Sequence, residues 1–293
     1  MGFKKTYLSA ALPALAFLAG ACSGNGKGVD DPFVDFPDDG KLAKVVSVVT
    51  SPSTTDTVFS FDGHKVDALQ IARVFPTEHS DVFLSIRVFP LKGESPVNMG
   101  LARIISEDFS TVAGGDVRYD LHETTARAVT EQIDYYGKVF NDTILPQLRE
   151  SVTNGFYVNV DLRPAWVSAD DDIHTYSSYM ESCTGGAPAE IECYYVSFSS
   201  RLGRQMTFED LVPAAERHAV REKLLAKMAE DSGKSVDDYL TWLTGYVNPG
   251  AEKPFTVDDF PIAYVASYRS GLVFSYPQGM VAPVSKGCPL YFI

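Results

Sequence analysis

Apolar residues along this chain recur with two periods, and the switches between them mark out its elements. Residues 42–49 and 82–89 are rich in β-branched and aromatic side chains with turn residues on both sides, so each predicts a strand; 68–75 predicts another. Pro96 and Asn98 open a helix whose apolar positions Leu101, Ile104, Ile105 and Phe109 keep helical spacing, until Gly114-Gly115 breaks it. A longer helix carries Ala126, Val129, Ile133, Tyr136, Phe140 and Ile144 at intervals of three and four and is expected to end near Pro146. Beyond Asn154-Gly155 the pattern returns to strands at 156–162, 174–183 and 192–199. Thr207-Phe208-Glu209-Asp210 has the form of a capping box, leading into a helix striped by Val220, Leu224, Leu225 and Met228. Strands at 255–258, 262–267, 271–276 and 289–293 close the chain. Strands and helices interleave without regular βαβ spacing, which predicts an α+β fold with a mostly antiparallel sheet packed against helices.

The first residues follow neither period. Lys4 and Lys5 precede an apolar run from Tyr7 to Leu18, the length of a signal-peptide core and shorter than the ~20 residues a spanning helix needs. The run ends Leu18-Ala19-Gly20-Ala21-Cys22. Small residues before a Cys resemble the lipobox of bacterial lipoproteins, in which Cys22 is lipidated and becomes the mature N-terminus. Ala19 stands where the usual Leu would, and Ala19-Gly20-Ala21 also fits the A-x-A cleavage site of an ordinary secretory signal. Residues 23–41 contain Gly, Pro and five Asp and read as a flexible acidic tether. The expected organisation is a signal peptide over 1–21, a tether over 22–41, an N-terminal α+β region over 42–152 and a second domain over 153–293.

Composition narrows the class. The 293 residues are 45% hydrophobic and 22% charged, a globular balance, with a formal net charge of −13. A nucleic-acid partner is not expected, because such binders carry a basic footprint. Cleavage before Cys22 removes Lys4 and Lys5 and no acid, so the side-chain charge becomes −15. Export also bears on the remaining thiols. Cys183 and Cys193 flank the turn-rich Thr184-Gly185-Gly186-Ala187-Pro188 and could join across a hairpin; Cys288 is then the odd thiol, expected as a small buried residue.

Motifs that carry catalysis are scarce. His64, His79, His122, His174 and His218 show no metal-ligand spacing, and no nucleophile elbow, P-loop or zinc pattern stands in suitable context, so neither metal nor cofactor is expected. Asp170-Asp171-Asp172 lacks the distal Glu of a calcium loop and reads as a solvated turn. The pairs Asp258-Asp259 and Glu209-Asp210 could work as paired carboxylates, but adjacent acids on a strand point apart, and acids at a helix start are favoured electrostatically.

Three segments are more specific. Tyr179-Met180-Glu181-Ser182-Cys183-Thr184-Gly185-Gly186-Ala187 is a strand entering a Gly-Gly-Ala turn. Ser200-Arg201-Leu202-Gly203-Arg204-Gln205-Met206-Thr207-Phe208-Glu209-Asp210-Leu211-Val212 leads into a helix. Phe274-Ser275-Tyr276-Pro277-Gln278-Gly279-Met280-Val281-Ala282-Pro283-Val284-Ser285-Lys286-Gly287 is a Gly- and Pro-rich ending. Together they resemble the C-terminal domain of the anti-sigma factor RsiV, which also occurs in the peptidoglycan deacetylase PdaC. Arg87, Pro90, Pro96, Val97 and Asn98 fall in a stretch similar to the domain preceding it there. Where that family continues its turn with His and Gly, this chain has Pro188 and Ala189. Gly279 and Met280 replace aromatic and acidic residues, and Val284 replaces a Tyr.

The resemblance implies a folded extracytoplasmic module that in RsiV recognises lysozyme. An acidic chain would be steered toward such a basic protein. The expectation is an exported, lipid-anchored, non-catalytic binding or sensing module for a lysozyme-like or other cationic protein, or for a cell-wall component. Its recognition face is expected to include Gly185, Gly186, Tyr276, Met280, Pro283, Lys286 and Gly287. The alternatives are an enzyme acting on cell-wall glycan through Asp258, Asp259 or Asp170, Asp171 and Asp172, and a scaffold subunit of an envelope assembly.

Overall fold

The computed structural model describes residues 51–77, 82–113, 123–148, 155–183, 190–283 and 287–293. The leader, the tether and the strand expected over 42–49 lie outside them. Strands β1 (Ser53–Phe61), β2 (His64–Pro76), β3 (Val82–Val88), β4 (Phe156–Val167), β5 (Ile173–Cys183), β6 (Glu190–Ser199) and β7 (Arg204–Gln205) are hydrogen-bonded in that order. The pairing of β2 with β3 is antiparallel and that of β3 with β4 is parallel. The fold is α+β, with a mostly antiparallel sheet packed against helices. The chain divides into two compact units. The first runs through Arg163, apart from residues 61–64, and takes in Tyr179–Glu190; the second comprises Phe61–His64, Pro164–Ser178 and Ile191–Ile293. Strands β4 and β5, 12 and 11 residues long, each contribute to both units.

In the first unit, Ile71 lies opposite Val88 and Phe75 opposite Leu84, while β4 runs alongside β3 from the Val82–Phe156 pair to Val88–Leu162. A parallel pair needs a long crossover, and here it contains α1 (Pro96–Ala113) and α2 (Ala126–Val139). Val97, Leu101, Ala102, Ile104 and Ile105 of α1 are buried, as are Val129, Ile133 and Tyr136 of α2. Thr125 caps α2, its hydroxyl accepting from the Ala128 N–H at 3.2 Å. A Cβ on Gly137 would stand 2.0 Å from the Phe75 ring, so α2 meets β2 at a distance only glycine allows. The helical path does not stop at Pro146. It passes through a π-helical turn at Phe140–Ile144, where the Leu145 N–H bonds back to Phe140, and resumes as α3 (Leu145–Leu148). The widened turn lets the path accommodate a residue that has no N–H. Strand β1, which the sequence did not predict, has mostly exposed or half-buried side chains and little apolar alternation to betray it.

In the second unit, the capping box is present, with the Thr207 N–H donating to Asp210 Oδ2 at 2.8 Å. It opens only the single turn α4 (Phe208–Leu211). Pro213 follows, and the striped helix is a separate element, α5 (Arg217–Asp231). A further helix, α6 (Val236–Val247), is capped by Ser235, whose Oγ accepts from the Asp238 N–H at 3.2 Å. Residues 255–258 do not form the expected strand. The Asp259 carboxylate reaches back to the Thr256 N–H, and the Phe260 N–H donates to the Thr256 carbonyl at 3.1 Å, which closes a turn. Strands β8 (Tyr264–Tyr268), β9 (Gly271–Ser275) and β10 (Leu290–Phe292) form a second, antiparallel sheet in the order β10-β9-β8. Its apolar face closes a core with α4, α5 and α6 through Phe208, Leu224, Leu225, Met228, Tyr239, Leu243, Phe274 and Tyr276.

Candidate binding surface

The C-terminal segment 276–287 is fixed to this core at several points. The backbone N–H of Tyr276 donates to the Pro289 carbonyl at 3.1 Å, and that of Met280 to Pro277 at 3.1 Å, closing a turn in which Gly279 has φ +78. The Tyr239 hydroxyl donates to the Val281 carbonyl at 2.8 Å. Tyr276 itself is fully buried. Its ring lies 6.2 Å from that of Phe260 and 6.4 Å from that of Tyr291, its hydroxyl donates to the Pro261 carbonyl at 3.2 Å, and burial raises its pKa well above the usual phenol range. The expectation that Tyr276 contacts a partner is corrected: it follows Phe274 by two positions and shares its inward face. Met280 is half-buried against the same core and Gly287 is half-buried with φ +68, while Pro283 is exposed. Lys286, Gly185 and Gly186 lie outside the described residues, as does Cys22.

The carboxylates considered for catalysis are engaged in shaping loops. Asp170 Oδ1 accepts from the Ser168 hydroxyl at 2.6 Å, and Asp172 Oδ1 accepts from the Arg201 N–H at 2.7 Å and the Ser199 hydroxyl at 3.2 Å. Asp171 sits at the left-handed φ of +56, and its carbonyl lies 3.1 Å from His174 Nε2. This is a turn fastened to the loop after β6. The Ser168 hydroxyl and the Asp172 N–H hold the Asp170 carboxyl below the usual carboxylate range. A general acid on a glycan needs the opposite shift. Asp259 closes the turn at Thr256. Asp258 Oδ1 lies 2.8 Å from His218 Nδ1, with Glu222 Oε1 3.3 Å from the other ring nitrogen. This exposed His218 is raised above its ordinary value, chiefly by its hydrogen bond to Asp258. Among the described residues, no group of three or more His, Cys, Asp or Glu could hold a metal ion.

Cys183, Cys193 and Cys288 are all buried, and no disulfide joins Cys183 to Cys193 in the structure. The Cys288 thiol donates to the Ile191 carbonyl at 3.0 Å. The Cys193 side chain beside it, with backbone N–H groups of Cys193 and Gln278, holds the Cys288 thiol below the usual thiol range, against the opposing effect of burial.

Two features escaped the sequence reading. In the first unit, Arg87 of β3 and Arg163 of β4 both bond the Asp161 carboxylate, which is 6% exposed; Arg87 Nε lies at 2.7 Å and Arg163 Nε at 2.9 Å. Charged residues two apart within an apolar strand were the available signal. In the second, Trp242 and Tyr246 of α6 stack at 5.1 Å and 15°, and Tyr246 is 40% exposed. Val236, Tyr239, Leu240, Leu243 and Val247 keep helical spacing behind the Ser235 cap, a pattern that would have found α6.

Taken together, these observations define a class: an α+β protein of two units, one built on a sheet with a parallel crossover and the other on an antiparallel three-stranded sheet under helices. The particular likeness is to a crystal structure of a DUF3298 family member from Bacteroides fragilis NCTC 9343. The two share 16% identity over 82% of this chain and 92% of that one, with a TM-score of 0.53. A DUF3298 family protein from Pseudomonas aeruginosa PAO1 matches at 14% identity, over 84% and 92% of the chains, with a TM-score of 0.47. No family model matches the sequence, and no curated protein matches it. The likeness to the Bacteroides protein is one of fold. Among the described residues, no helix is long and apolar enough to cross a membrane.

Proposed function

We propose that this protein is an exported module of the RsiV C-terminal-domain type, held at the bacterial envelope by lipid on Cys22, that binds a cationic protein such as a lysozyme, or a cell-wall component, without catalysis of its own. The observation that carries the binding reading is segment 276–287. There the sequence resemblance coincides with a loop whose described residues, 276–283, are pinned to the core by Tyr276 and Val281 and include an exposed Pro283. A loop fixed by its neighbours presents its outer atoms at little ordering cost. The stacked Trp242 and Tyr246 offer aromatic surface suited to a protein or sugar partner. The net charge of −13 supports steering of a basic partner.

Two linked experiments test the reading. Cells making the Cys22→Ala protein are fractionated: the variant moves from membranes to the soluble fraction and loses lipid label, whereas unchanged membrane association contradicts the anchor. That soluble variant is then passed over immobilised lysozyme and over insoluble peptidoglycan. Retention on either, weakened by salt for lysozyme, supports the binding role; passage through both columns contradicts it.

A further inference from the structure

We infer that Cys193 and Cys288 are an oxidisable pair whose disulfide ties the C-terminal segment to β6. Both are buried, at 2% and 5% exposure. They belong to the same unit and meet where β6 passes the start of the closing segment. The Cys288 thiol donates to the carbonyl of Ile191 at 3.0 Å, two residues before Cys193 on the strand. That bond sets the Cys288 sulfur against the β6 backbone within two residues of Cys193. Gly287, at φ +68, gives the chain the left-handed turn that leads into Cys288. The downward shift of the Cys288 thiol adds to this geometry, since the thiolate is the reactive form.

The inference does not rest on the function proposed above. It concerns an internal bond, and it differs from the Cys183–Cys193 link that the hairpin pattern suggests. The oxidant is a disulfide, either of a thiol–disulfide oxidoreductase or of a small molecule such as oxidised glutathione. The Cys288 thiol gives its proton to solvent, and its thiolate attacks one sulfur of the oxidant, breaking that S–S bond and releasing one thiolate. Cys193, deprotonated in turn, attacks the Cys288 sulfur of the mixed disulfide. The intramolecular S–S bond forms and the second thiolate leaves. The protein loses two protons and two electrons; the oxidant gains the two electrons and becomes two thiols once both thiolates are protonated. Because both cysteines are buried, the first step takes place while the chain folds or when the segment after Tyr276 lifts.

The bond would close a loop of most of the second unit and fasten the segment whose turn at 277–280 and Pro283 carry the proposed recognition. Oxidation would thus set how rigidly that surface is held, and reduction would loosen it without removing a single contact residue.

The test uses the full chain with Cys22→Ala, equilibrated in glutathione buffers from fully reduced to fully oxidised, quenched by alkylation and mapped by mass spectrometry. Glu190 and Glu192 lie between Cys183 and Cys193 while no Lys or Arg does, so a Glu-specific protease separates the two peptides where trypsin would not. The expected result is a Cys193–Cys288 cross-linked peptide, with Cys183 still alkylated on unfolding, and a melting temperature about 5–10 °C higher in the oxidised form. The Cys183→Ser variant keeps the cross-link and the shift. A Cys183–Cys193 peptide, or full alkylation of Cys193 and Cys288 under oxidising conditions, overturns the inference. Should Cys288→Ser or Cys193→Ser fail to fold, peptide mapping of the Cys183→Ser protein still decides it.

Discussion

The two units bury different kinds of polar group. In the first, the interior includes polar groups that need particular partners. The Asp161 carboxylate serves two guanidinium groups, and the Asn98 side chain, fully buried, accepts from the Leu91 N–H at 2.8 Å and donates to the carbonyls of Leu91, Gly93 and Thr124. In the second, the core is aromatic and aliphatic, and its tyrosines place their hydroxyls on backbone carbonyls at its margin. At Asp161 and Asn98 of the first unit, losing one partner strands another, whereas at apolar positions of the helix-covered core of the second a substitution of similar size is tolerated. This contrast makes distinct, measurable demands on mutants.

The largest effect is expected at Asp161. Asp161→Ala removes the carboxylate that Arg87 and Arg163 share in a largely buried site, and unfolding by urea should show a loss of about 3–5 kcal/mol. In the second unit, Leu243→Ala should cost about 2–5 kcal/mol, but Leu243→Met less than about 1.5. If a conservative swap there were as damaging as the Ala variant, the volume argument would fail. Asn98→Ala leaves the Leu91 N–H without its side-chain acceptor inside the protein and should cost about 1–3 kcal/mol. Asn98→Leu should be no better, despite its similar size, if pairing rather than volume governs that site.

The smallest effect is a pH dependence in the second unit. The His218 value is raised in the folded protein, so whatever stability it contributes is fully present below its unfolded value of about 6.5 and is lost as pH rises through the folded value. Proton NMR titration should place His218 above the ordinary histidine value in the folded protein, and Asp258→Asn should bring it down. No change on that substitution would mean that the Asp258 contact does not persist in solution.

How much of this the sequence disclosed follows the same contrast. Regular apolar spacing foretold α1, most of α2, α5 and the strands β3, β4, β5, β6, β8 and β9, because burial on one face is what that spacing encodes. It did not disclose β1, whose STTDTVFSF carries alternation too weak to separate from a loop. It also misassigned 255–258, where Phe255 and Val257 look strand-like but one carboxylate, Asp259, bends the backbone into a turn. The candidate site was legible as a segment rather than as side chains. Gly and Pro marked the described residues 277–283 as a loop, yet the strand alternation from Phe274 carries Tyr276 inward, and no composition rule reveals which Met or Tyr of such a loop faces out. The Cys288–Cys193 approach joins residues 95 apart in sequence, and only the closing of β8, β9 and β10 brings it about.

The protein-binding arm of the proposal, recognition of a basic partner by an acidic module, is addressed most directly by isothermal titration calorimetry of the Cys22→Ala protein with lysozyme. Saturable binding that weakens as salt rises from about 50 to 500 mM is the predicted result, as screening shortens the reach of the acidic surface. Absence of heat at low salt, or binding indifferent to salt, would contradict it.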